Sequence, residues 1–152
     1  SAPFSAAAEA QGIAPIYIAP ARASRETLEG VAANSRGYIY AISRDGVTGA
    51  ENEATVEGLR EVVENVRSFG GAPVLLGFGI STPQHVADAI AAGATGAITG
   101  SAITNIIAKY VKHEHPRPGR VTDMDALKAE LTEYVRAMKA ATAKSGGGTV
   151  KS

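Results

Sequence analysis

A chain of 152 residues with 45% hydrophobic and 20% charged side chains is long enough for one ordinary soluble domain and points away from two. Fifteen basic residues balance fifteen acidic ones, so no global field draws nucleic acid or an anionic membrane, and any anion has to be held by local geometry. The absence of cysteine excludes disulfides, thiolate nucleophiles and zinc–cysteine sites and fits the cytoplasm, and no apolar run reaches the ~18 to 20 residues of a transmembrane helix.

The chain opens with Ser1 rather than methionine, directly on a helix-like segment from Ala2 to Gln11, which reads as a truncated start. Gly12 ends that segment, and Ile13 to Ile18 follows as a β-branched run suited to a strand buried on both faces. Ser24 is placed to cap a helix through about Asn34, with Leu28, Val31 and Ala32 on one face and Glu26 in the first turn, where the helix dipole favours it. Gly37 to Ile42 predicts a second strand. The glycine- and Asx-bearing stretch Ser43 to Asn52 is long for a connection between strand and helix, usually ~2 to 6 residues.

A helix is expected from about Thr55 to Phe69, with Val56, Leu59, Val62, Val63 and Val66 as its apolar face. Pro73 to Gly77 predicts a third strand, and Thr82-Pro83 an N-cap with proline in the first helical position, opening a helix to about Ala92. Thr95 to Thr99 is a fourth strand and Ser101 to Lys112 the helix after it. His113 to Val121 reads as a polar, proline-bearing connection. Thr122 and Asp125 resemble a capping box for a last helix with Leu127, Leu131, Tyr134, Val135 and Met138 on its face. Residues 1–144 form the domain, and 145–152, with three consecutive glycines, a flexible tail.

Strand-helix alternation repeated four times means parallel strands, in a doubly wound sheet or half of a (β/α)₈ barrel. Glycine-rich loops after the C-terminal ends of three strands favour the barrel, which keeps its sites there. Four strands cannot close a barrel, so both sheet edges stay open to pairing or self-association.

Gly77-Phe78-Gly79-Ile80-Ser81 and Gly96 to Ala102 each run from a strand into a helix start, where glycine lets an anion approach backbone N–H groups. Two such loops in tandem make a phosphate cradle, with the Gly100-Ser101 step adding a hydroxyl; the competing reading is of tight turns and a serine cap. Gly46-Val47-Thr48-Gly49 supplies a possible third arm. Tyr40 and Phe78 either wall an aromatic ligand or are core aromatics. Asp45, Glu51 and Glu53 read as solvated charges, and His85 as a surface residue. His113 and His115 lack a third ligand at a recognisable spacing, so no metal site is expected.

Taken in order, Ala14-Pro15-Ile16-Tyr17-Ile18, Gly37-Tyr38-Ile39-Tyr40, Ser43 to Asn52, Gly77 to Ser81 and Gly100 to Ile103 resemble the second half of the tryptophan synthase α subunit. The resemblance runs from Ser1 to about Lys144, and Val47-Thr48-Gly49-Ala50-Glu51-Asn52 argues against other phosphate-binding barrels such as thiamine-phosphate or phosphoribosyl-anthranilate types.

The resemblance implies the C-terminal half of a (β/α)₈ barrel and a lyase that cleaves indole-3-glycerol phosphate to indole and glyceraldehyde 3-phosphate. It assigns Gly49, Gly79, Gly100 and Ser101 to the substrate phosphate, Tyr40 and Phe78 to the indole pocket, and Thr48 to a mobile lid that engages the catalytic aspartate. It places the family's catalytic glutamate and aspartate upstream of Ser1, so the chain alone is expected to be inactive. No cofactor is expected here, because pyridoxal phosphate belongs to the β subunit, the expected partner. The alternative is a stand-alone phosphate-binding half-barrel or assembly module.

Overall fold

Four short parallel strands, each followed by a helix, account for most of the structure, a computed structural model that describes residues 2–42, 52–114 and 117–143. The order is α1 (Ala2–Ala10), β1 (Ile18–Pro20), α2 (Arg25–Asn34), β2 (Ile39–Ile42), α3 (Asn52–Ser68), β3 (Val74–Leu76), α4 (Pro83–Ala91), β4 (Gly96–Ala97), α5 (Ser101–Tyr110), β5 (Val111–Glu114), β6 (Arg117–Val121) and α6 (Met124–Ala140). Strands β1 to β4 pair in sequence order in one parallel sheet. This is the strand-helix repeat of the expected half-barrel.

Register assigns the two faces of the sheet. Ala19, Ala41, Leu76 and Ala97 form one row across the four strands, while Ile18, Tyr40, Leu75 and Gly96 form the next. The first row is buried in its first three members and joins a core with Leu28, Val31, Leu59, Val62, Val63, Val66, Val86 and Ala89 from α2, α3 and α4. The second row is half-buried or, at Ile18, 56% exposed. Burial on both faces is therefore corrected: among the described residues helices cover one face only, and the strands alternate with period two.

Local chemistry sets the helix starts. Ser24 caps α2 by accepting the Thr27 N–H, and Thr82 caps α4 by accepting the His85 N–H, with Pro83 in the first turn. The start of α6 differs from the expected capping box. Asp123 is the cap, accepting from the Ala126 N–H at 2.9 Å, because Thr122 has turned away to donate its hydroxyl to the Tyr110 carbonyl. Val135, expected in the core, is 52% exposed and borders a groove beside the β4 edge, where no further strand packs among the described residues.

The expected polar connection at 113–121 is instead an antiparallel ribbon, β5–β6, pairing Val111 with Val121 and Glu114 with Arg117. Such a ribbon is held by main-chain bonds, which need no hydrophobic alternation in the sequence. Strand β1 begins at Ile18 rather than Ile13, and α5 stops at Tyr110. The tail at 145–152 lies outside the described residues.

A polar clamp joins α5 to α6. Lys109 and Tyr110 both donate to the Glu130 carboxylate, which lowers its pKa through those two hydrogen bonds, lysine first. The same contact with Glu130 raises the Tyr110 pKa. For Glu130 the unfolded chain holds its proton to higher pH, so the clamp contributes above the unfolded carboxylate pKa and is lost as pH falls through the depressed folded value. Thermal melts from neutral to acid pH are expected to show a drop in melting temperature that is shallower in Glu130→Gln. Identical pH slopes in the two proteins would rule out this contribution.

Candidate functional site

A cleft of about 710 Å³ opens at the C-terminal ends of β2, β3 and β4 and gathers residues from Tyr40 to Ser101. Tyr40 comes from β2 and donates its hydroxyl to the Gly77 carbonyl at 2.7 Å, which brings its ring over the start of the next loop. Gly77 fits because it has no side chain: a Cβ there would lie 2.1 Å from Tyr40 Cζ. Gly79 follows with φ 76°, a left-handed conformation suited to glycine. Between them Phe78 is 48% exposed, at the cleft rather than in the core.

The second wall is the start of α5. Gly100 is its N-cap and makes no side-chain capping bond, while its carbonyl accepts from the Ile103 and Thr104 N–H groups. Ser101 is thus the first helical residue and not a cap, which removes the bland explanation for a serine in this place. A Cβ on Gly100 would meet nothing within 4 Å, and its φ of −133° lies outside the left-handed region. Neither packing nor a positive φ demands glycine there. An anion at the first turn would meet N–H groups and the positive end of the helix dipole without a side chain in the way.

His85 corrects the expectation of a plain surface residue. It is half-buried, lines the cleft, and its Nδ1 accepts from the Ser81 N–H at 3.3 Å. The sequence offered a cue, since His85 is the third residue of a helix that begins right after a glycine loop and so stays beside that loop. No carboxylate is among the described residues lining the cleft.

Of the residues singled out from sequence, Tyr40, Phe78, Gly79, Gly100 and Ser101 all line this one cleft. Thr48 and Gly49 lie outside the described residues, as do Asp45 and Glu51. Ile80, Ser81 and Ile98, which belong to the two glycine-bearing loops read from the sequence but were given no role of their own, also line the cleft.

A family model for the tryptophan synthase alpha chain matches residues 1–143. The chain belongs to the tryptophan synthase alpha chain family. It is 70% identical over 143 residues to the tryptophan synthase alpha chain of Corynebacterium glutamicum, covering 94% of this chain and 51% of that relative. The alpha chain of Shewanella baltica is 49% identical over 142 residues, covering 93% and 48%. The chain spans about half the length of the curated relatives it matches.

Among solved structures, the tryptophan synthase A-subunit of the hyperthermophile Pyrococcus furiosus superposes with a TM-score of 0.70 at 22% identity, over 91% of this chain and 50% of that one. The tryptophan synthase complex from the same organism contains a chain that superposes at 0.67 and 21% identity, over 91% and 48%. At such identities the likeness speaks for the fold, and it gives this family member half of a (β/α)₈ barrel.

Proposed function

We propose that this chain is the phosphate-holding half of an indole-3-glycerol phosphate lyase in tryptophan biosynthesis. The observation that carries the reading is the convergence of Gly79, Gly100 and Ser101 with Tyr40 and Phe78 on one cleft in a member of this family. The α5 N-terminus and the Gly79 loop take the phosphate, and Tyr40 and Phe78 wall the indole ring. Gly49 joins the phosphate site and Thr48 the lid that closes over the substrate.

Cleaving indole-3-glycerol phosphate to indole and glyceraldehyde 3-phosphate breaks one C–C bond. A side-chain hydroxyl gives up its proton and the indole carbon gains one, so acid and base groups are required. This reading takes those groups, a glutamate and an aspartate, from the part of the relatives' length that this chain does not cover. The chain alone is then inactive. It carries no cofactor of its own; pyridoxal phosphate sits in the β subunit, which receives the indole. The setting is the cytoplasm; no helix among the described residues is long and apolar enough to cross a membrane.

The purified chain is expected to bind glycerol phosphate, followed by NMR titration, and to release no indole from indole-3-glycerol phosphate. Supplying the first half of the C. glutamicum alpha chain in trans should restore indole release. Turnover by this chain alone would overturn the division of roles, and silence of the cleft amides in the titration would overturn the phosphate assignment.

One observation supports association as well. β1 and β4 are the sheet edges among the described residues, and Phe4, Ile13, Ile16 and Ile18 leave apolar surface at the β1 side. The alternative role as a half-barrel assembly module would use these edges, and light scattering should then find dimers or larger species rather than a monomer.

A further inference from the structure

Thr99 stands between the two glycine loops of the cleft. Along the backbone it leads directly into Gly100 and Ser101, while its Oγ1 reaches the Ile80 carbonyl at 2.9 Å and the Tyr134 hydroxyl at 2.8 Å. A carbonyl can only accept, so the Thr99 proton goes to Ile80. Tyr134 therefore donates to Thr99. The outcome is an ordered chain of hydrogen bonds from Tyr134 on α6, through Thr99, into the loop that carries Gly79, with Ile80 buried and Thr99 and Tyr134 half-buried.

The position of this chain matters more than its energy. The β3–β4 ladder extends as far as the bond from Ile98 N–H to the Leu76 carbonyl at 2.8 Å. Past that point the Thr99–Ile80 bond continues the tie between the two loops. The separation of those loops decides whether the Gly79 loop and the first turn of α5 reach the same anion, a tolerance of about 0.5 Å in preorganised sites.

We propose that Thr99 is a positioning residue for anion binding: through Ile80 it holds the Gly79 loop against Gly100 and Ser101, and Tyr134 extends that hold to α6. The inference rests on the reading of the cleft as a phosphate site.

The test is a titration of the full chain with inorganic phosphate, followed by NMR of the loop amides, at a temperature where every variant is folded. Thr99→Val keeps the branched shape and deletes the hydroxyl, and its affinity should fall about 10-fold, the equivalent of one lost hydrogen bond. Thr99→Ser, which keeps the hydroxyl, should bind within about 2-fold of wild type by the same reckoning. Tyr134→Phe should fall between them and reports on the chain even if Thr99→Val does not fold. Val66→Ala, in the core on α3, should lose stability without losing affinity. Equal binding by wild type and Thr99→Val, failure of serine to rescue, or an equal loss in Val66→Ala would overturn the inference while leaving the phosphate reading in place. A wild-type chain that shows no phosphate response overturns both.

Discussion

Gly77→Ala is expected to push the Tyr40 ring off the cleft wall and to lower stability by about 2 to 3 kcal/mol, as overpacking of an ordered site does. The added Cβ would lie 2.1 Å from Tyr40 Cζ and 2.4 Å from its hydroxyl oxygen, so the two cannot coexist in their present places. The ring's outer atoms have to move, and the bond from the Tyr40 hydroxyl to the Gly77 carbonyl goes with them. A hydrogen bond of this kind contributes about 1 kcal/mol, and the rest is displaced packing. Urea unfolding of a double-mutant cycle with Tyr40→Ala checks the cause: in the truncated background the alanine should cost at least about 1 kcal/mol less. Additive costs would mean that the clash is not what glycine avoids.

The second large effect is on binding rather than folding. Gly100→Asp places a carboxylate at the N-cap of α5, in space where a Cβ meets no neighbour within 4 Å. Negative charge at a helix start is favourable by about 0.3 to 1 kcal/mol, so stability should hold or rise slightly. The same charge stands where the proposed phosphate site lies. Two like charges some 4 Å apart near a protein surface repel by about 4 kcal/mol, and affinity for glycerol phosphate should fall by 100-fold or more. Thermal melts and the phosphate titration, run side by side, separate the two terms. An aspartate variant that still binds like the wild type would remove the α5 N-terminus from the site, whatever its stability.

Much of this could be read along the chain because its causes are local. Ser24, Thr82 and Pro83 announce helix starts through side chains that bond or constrain their own backbone, and the structure has α2 and α4 begin there. Glycines clustered after strand ends marked the loops, and Tyr40, Phe78, Gly79, Gly100 and Ser101 do meet at one cleft. Thr122 shows the limit of local reading. It looked like a cap, but a bond to Tyr110, twelve residues away, competed for its hydroxyl and passed the cap to Asp123.

The sequence by itself determined the alternation of the four parallel strands with their helices, the family and the glycine loops, since each depends on residues close along the chain or on a run of identities. Tertiary structure alone decided that Gly77 must lack a side chain because of Tyr40 and that Thr99 ties two loops together. It also decided that 111–121 pairs as a ribbon through Val111 and Val121. These facts depend on atoms brought together by sheet register and helix packing, across separations of 10 to 37 residues in the bonds concerned. No periodicity or spacing encodes such a meeting, because the partners become neighbours only once the sheet has formed.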